Sequence, residues 1–191
     1  MASATLEEAF SDLTPHPLEQ TFFRVIHAKY AATALSAVGS YRFGGRYNPA
    51  GSFEVLYLAD SPVTALEEVE ALLRSGAALQ GVKGPPRILL SVECRLQAVV
   101  NLKDSLTSLD LHLSDIISPW RDSLRRGETP VTHTLSTLAY KRGDVEALLF
   151  PSAKNPETLN LAVFPDRLGE GSSLRVFDDS GMIDALVMQL Q

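Results

Sequence analysis

Apolar and polar residues recur along this chain with two different periods, and each period predicts its own kind of element. Thr21–Ile26 (TFFRVI) reads as a strand, and the alanine-rich stretch after it suits a helix. Glu54–Ala59 (EVLYLA) is apolar on both faces, as a central strand with neighbours on either side would be. Arg87–Val100 predicts one or two strands, and Val145–Phe150 a further one running into Pro151. Leu159–Phe164 and Leu174–Phe177 complete the strands. Helical spacing marks Ser61–Ser75, Ser114–Arg126 and Thr132–Lys141. The first is the clearest, with Ser61 placed as N-cap and Pro62 at the first helical position. Ser40–Gly51 (SYRFGGRYNPAG) reads as a loop. Strands and helices intersperse without regular βα alternation, which predicts a single α+β domain of mixed sheets with flanking helices. Residues 1–20 read as a polar, proline-punctuated extension with one helical turn around Leu6–Phe10, ahead of a domain over residues 21–191.

Composition narrows what such a domain does. With 45% apolar and 21% charged residues in 191, the chain has the balance of a soluble globular protein. A net charge of -6 argues against direct nucleic-acid binding, yet leaves room for a few arginines converging on a small anion. The lone Cys94 excludes an intramolecular disulfide and suits a reducing compartment. Met1–Phe10 carries Glu7 and Glu8 and no signal-peptide pattern, and no apolar run reaches the ~18 residues of a membrane span. A soluble cytoplasmic protein with no membrane partner is expected.

Two features stand out as candidate chemistry. In the helix Ser61–Ser75, the spacing puts Leu66, Val69, Leu72 and Leu73 on an apolar face and Glu67, Glu70 and Arg74 on one flank. Glu68 projects from the other flank beside Ala65 and Leu72, where a carboxylate can look into a cleft. On an isolated helix, a boundary glutamate facing solvent is the commoner outcome. The second feature is Gly44-Gly45-Arg46-Tyr47-Asn48-Pro49. Two glycines let a backbone come close to a ligand, and the arginine after them offers a planar fork to phosphate or carboxylate. Taken alone, this is most often a tight loop with an exposed arginine. It is neither a P-loop nor a dinucleotide fingerprint. His16, His27, His112 and His133 lack metal-ligand spacing among themselves or with Cys94, so no metal is expected. Ser152, in Phe150-Pro151-Ser152-Ala153, belongs to no G-x-S-x-G elbow, and Trp120 reads as core or a packing lid.

Taken in order, these residues resemble the RES-domain family, named for an arginine, a glutamate and a serine. Arg24 stands in FFRVI, Arg46 in GGRYNP, Tyr57 in VLYLA, Glu68 in SPVTALEEV and Ser152 in LLFPSA. The likeness spans roughly Thr21–Phe177, although the family more often carries tryptophan where Tyr47 stands. Residues 1–20 and the stretch around Gly76–Pro86 look like additions.

The resemblance implies a fold like that of ADP-ribosyltransferase toxins and an enzyme that consumes NAD⁺ as substrate, with no further cofactor. It also implies a toxin restrained by an Xre-type antitoxin. Nicotinamide leaves NAD⁺ as a neutral molecule, so the barrier lies in the oxocarbenium-like charge on the ribose. Glu68 is expected to stabilise that charge. Arg24 and Arg46 would bind the pyrophosphate, Tyr57 would stack on or wall off the nicotinamide, and Ser152 would orient Glu68 or bind substrate. A hydrolase or phosphorylase heads the expectations. A protein ADP-ribosyltransferase using the same residues and a non-catalytic NAD- or partner-binding module are the alternatives.

Overall fold

Alternating burial along Arg87–Asn101 makes it the longest strand of the molecule, unbroken where the sequence allowed two. The computed structural model describes residues 5–75, 86–177, 183 and 186–188. It begins with a short helix, α1 (Leu6–Ser11), capped by Thr5 and Glu8 in a capping box. Strands β1 (His16–His27) and β2 (Leu56–Ala59) flank a 3₁₀ turn at Ala28–Thr33 and helix α2 (Val38–Phe43). Helix α3 (Pro62–Ser75) leads towards the long strand β3 (Arg87–Asn101). Four helices follow: α4 (Leu102–Ser105), α5 (Leu113–Ile117), α6 (Trp120–Arg125) and α7 (Val131–Arg142). Strands β4 (Ala147–Pro151), β5 (Leu159–Val163), β6 (Ser173–Phe177) and β7 (Leu186–Met188) complete the described strands, with a 3₁₀ turn at Pro165–Arg167 between β5 and β6.

The expected α+β class holds, and the strands form one sheet in the order β1-β2-β5-β4-β3-β6-β7. A further antiparallel pairing of β1 with β3 closes the first five into a ring. Only the β3–β4 pair is parallel among the described strands. The strand faces follow the register. Phe22, Leu56, Leu58, Val92, Leu149 and Leu161 pack into one core. Tyr57, Leu148, Phe150 and Ala162 face a second core with Tyr47, Phe53, Leu135 and Phe164. Among the described residues no helix is long and apolar enough to cross a membrane.

The structure differs from the sequence reading at five points. β1 starts at His16 rather than Thr21, because His16–Gln20 finds partners along β3 from Val99 to Cys94. With Phe10 buried against the second core, much of the expected 1–20 extension is built into the fold. Residues 40–43 of the expected loop are helical, as the end of α2. Ser114–Arg126 is two helices, since Pro119 disfavours helical geometry at Ser118, which is extended at ψ 155°. The apolar face of α3 is also turned from the one expected: Leu66 is 47% exposed, whereas Thr64 and Ala65 are buried. The side chains of Glu70, Leu72, Leu73 and Arg74 lie outside the described residues, as does the stretch 76–85.

Candidate active site

β1 and β2 share a single paired position, Phe23 with Ala59. Around it, residues 23–25 of β1 and 57–59 of β2 line a cavity of about 720 Å³, within the size range of small-molecule and cofactor sites. Glu68 of α3, Arg46 and Gly45 of the glycine loop, Asn160 of β5 and Trp120 of α6 line the same cavity.

The glycine loop is shaped by Tyr57. The Tyr57 hydroxyl donates to Asn48 Oδ1 at 2.8 Å and accepts from the Tyr47 backbone N–H at 2.8 Å. Asn48 is fully buried, and its amide donates to the Ser40 and Phe53 carbonyls. Tyr57 packs so close to the loop that a Cβ on Gly45 would stand 2.8 Å from both Tyr57 Cε2 and Asn48 Oδ1. Gly45 is therefore required by close approach, while Gly44 turns the chain at φ +69°. Burial pushes the Tyr57 phenol well up, so it stays protonated at neutral pH. Its hydroxyl is committed to the loop, and what it offers the cavity is ring surface. Tyr47 is wholly buried against Phe150, with ring centroids 4.1 Å apart, and does not line the cavity.

Both candidate arginines are desolvated cations held by carbonyls. Arg24 donates from Nη1 to the Ala34 carbonyl at 3.0 Å and from Nη2 to the Ser36 carbonyl at 3.1 Å. Burial pushes it down to about 10, which still leaves it charged at neutral pH. Arg46 donates from Nη1 to the carbonyls of Ile116 and Ser118 at 2.9 and 2.7 Å, tying the loop to the end of α5. Burial lowers Arg46 as well, with the charge of Glu68 among the influences acting the other way. Neither arginine is in salt-bridge contact with a carboxylate among the described residues. Both are half-buried, and a partly desolvated cation without an anion carries a cost that a ligand bearing phosphates relieves.

Glu68 is fixed through one oxygen. Its Oε1 accepts from Ser152 Oγ at 2.8 Å and from Asn160 Nδ2 at 2.9 Å. Ser152 is fully buried just beyond β4, and its oxygen accepts from the Lys154 backbone N–H at 3.1 Å. Glu68 Oε2 has no hydrogen-bond partner among the described residues. The neighbouring Glu67 is exposed. α3 carries Glu68 inward because Ser61 starts the helix as expected, its Oγ accepting from the Thr64 N–H at 3.1 Å.

The structure therefore brings Arg24, Arg46, Tyr57 and Glu68 to one cavity, with Ser152 directly behind Glu68. Sequence reasoning missed several partners. Asn160 carried a signal, as the lone polar residue inside the apolar run Leu159–Phe164. His133, whose Nε2 meets the Gly45 carbonyl at 2.8 Å, carried none, and burial lowers its pKa. Arg121, Arg125 and Lys154 add positive charge to the cavity wall, where Arg121 lies 4.4 Å over the Trp120 ring. Arg125 is paired with Asp122. Trp120, expected as core or lid, is half-buried and sits beside His133.

The family model described as RES domain matches residues 21–183. No curated protein matches the chain. Among solved structures, the crystal structure of the M. tuberculosis MbcT–MbcA toxin–antitoxin complex contains a chain of similar fold, with a TM-score of 0.71 and 22% identity. The likeness covers 91% of this chain and 89% of that one.

Proposed function

The chain belongs to the RES-domain family, and on that premise we propose that it degrades NAD⁺ by breaking the bond between nicotinamide and ribose. The acceptor is water or phosphate. The observation that carries this reading is a carboxylate fixed through Oε1 alone, Glu68, in a cavity that also holds two desolvated arginines with no carboxylate partner. A dinucleotide supplies what that arrangement lacks. Its pyrophosphate complements Arg24 and Arg46, with Arg121 and Lys154 adding to the attraction.

Nicotinamide departs with the electron pair of its bond to C1′ and is neutral when it leaves, so no acid is needed to protonate it. Positive charge passes from the pyridinium to the ribose, where the Glu68 carboxylate stabilises it. Ser152 and Asn160 hold Oε1, and Oε2 is the oxygen left for the substrate. The acceptor oxygen then bonds to C1′; with water as acceptor, its proton is lost to solvent. Tyr57 and Phe150 wall the cavity with ring surface and exclude bulk water from the cation.

In the cell the protein acts, on this reading, as the cytoplasmic toxin of a toxin–antitoxin pair, restrained by an Xre-type antitoxin. The solved complex of similar fold, which pairs a toxin with an antitoxin, supports such a partner. Product analysis tests the chemistry. Purified protein incubated with NAD⁺ releases nicotinamide and ADP-ribose, or phosphorylated ADP-ribose when phosphate is the acceptor. Intact NAD⁺ with and without phosphate contradicts the proposal. Labelling of lysate protein without free ADP-ribose would assign a protein acceptor instead.

A further inference from the structure

Ser152 accounts for one of the two bonds that fix Glu68; the other comes from a residue that costs the sheet something to keep. Asn160 lies within β5, paired with Ala59 of β2 on one side and Phe150 of β4 on the other. Its neighbours in sequence, Leu159 and Leu161, are apolar, and it is itself 7% exposed. A carboxylate only accepts, so the amide must turn its NH₂ to Glu68. That orientation leaves Asn160 Oδ1 buried with no partner. Native strands rarely keep such an orphan without a function that demands it.

We propose that Asn160 is a positioning residue for Glu68: with Ser152 it clamps Oε1 and so presents Oε2 to the substrate. This rests on the NAD⁺-cleaving reading and adds a residue to it. A glutamate has three rotatable side-chain bonds, and Arg46 of the glycine loop shares its cavity. Lys154 lines the same cavity from beyond β4. Two donors, one in β5 and one just beyond β4, keep the carboxylate from turning towards either cation. Oriented groups of this kind lose ~100-fold in rate for misplacements of about 1 Å.

The test follows nicotinamide release and thermal stability in Asn160→Leu and Asn160→Ala. The clamp predicts kcat lower by ~10–100-fold with KM within about threefold, the scale of a lost supporting contact. It also predicts a melting temperature for Asn160→Leu that is unchanged or higher, because the orphaned acceptor is gone. A merely structural asparagine predicts the opposite: a lower melting temperature and, in the folded fraction, wild-type kcat. Asn160→Asp provides a readout that needs no turnover. It sets a second carboxyl against Glu68, so the pair shares a proton and its titration midpoint rises. Carboxyl ¹³C NMR, with Glu68→Gln to assign the signal, measures that midpoint. An unmoved midpoint overturns the positioning role even if the wild-type protein releases no nicotinamide, whereas that silence alone would count against the NAD⁺ reading.

Discussion

Ser152 and Glu68 stand 84 residues apart in the chain and meet through a hydrogen bond of 2.8 Å. The serine hydroxyl has one proton, and it goes to the carboxylate, while the Lys154 N–H bonds to the same serine oxygen. Ser152 thus joins the end of β4 to the helix that carries Glu68. Ser152→Ala is expected to lower nicotinamide release by ~10-fold or more and to cost about 1–3 kcal/mol in urea unfolding, the penalty for stranding buried partners. Full activity with an unchanged unfolding midpoint would separate Ser152 from the site.

Tyr57→Phe separates the two uses of the tyrosine. The ring stays in the cavity wall, but the Tyr47 N–H loses its acceptor and Asn48 Oδ1 its donor. Denaturant unfolding should show a loss of about 1–3 kcal/mol. Calorimetric NAD⁺ affinity should change less than tenfold if the ring is what the substrate meets. A large affinity loss with intact stability would show that the hydroxyl serves the substrate rather than the loop.

How much of this was legible in the sequence varies by residue. Ser61, Pro62 and the run EVLYLA gave a helix start and a central strand, because caps and apolar runs act locally. The motif residues Arg24, Arg46, Tyr57, Glu68 and Ser152 were legible through their resemblance to a family, not through spacing. The flank from which Glu68 projects, beside Ala65, was legible from helical spacing, whereas the rest of the helix face was not: periodicity pointed to Leu66 as core, and Leu66 is turned to solvent. Asn160 and His133 were missed because their partners, Glu68 and the Gly45 carbonyl, lie 92 and 88 residues away. The strand pairing of residues 16–20 was missed for the same reason: the partner strand β3 begins 60 residues beyond β1.

Gly45→Ala tests the close packing of the glycine loop. The added methyl meets Tyr57 Cε2 and Asn48 Oδ1 at 2.8 Å, and both are held by buried bonds, so neither yields freely. A loss of about 1–3 kcal/mol in stability is expected, as for overpacking elsewhere, together with weaker NAD⁺ binding through the displaced Arg46. Wild-type stability and binding would mean that the loop has room the geometry denies.

His133 makes stability depend on pH. Burial lowers its pKa in the folded protein, against an unfolded value near 6.5. The folded state thus takes up its proton less readily than the unfolded chain. The contribution of His133 is complete above about pH 6.5 and drains away as the pH falls towards the lowered folded value. Melting temperatures between pH 7 and 5 should fall more steeply for the wild-type protein than for His133→Gln. Parallel curves would contradict the assignment.

The central claim is that the charge of Glu68 drives the cleavage, and Glu68→Gln measures it most directly. Glutamine keeps an Oε1 that accepts from Ser152 and Asn160, so the fold and the clamp survive while the negative charge is lost. Stability should change by no more than a few tenths of a kcal/mol. The initial rate of nicotinamide release from saturating NAD⁺ should fall by ~100-fold or more. Glu67→Gln, on the exposed side of the same helix, should keep the wild-type rate. Equal rates in Glu68→Gln and Glu67→Gln would contradict the account.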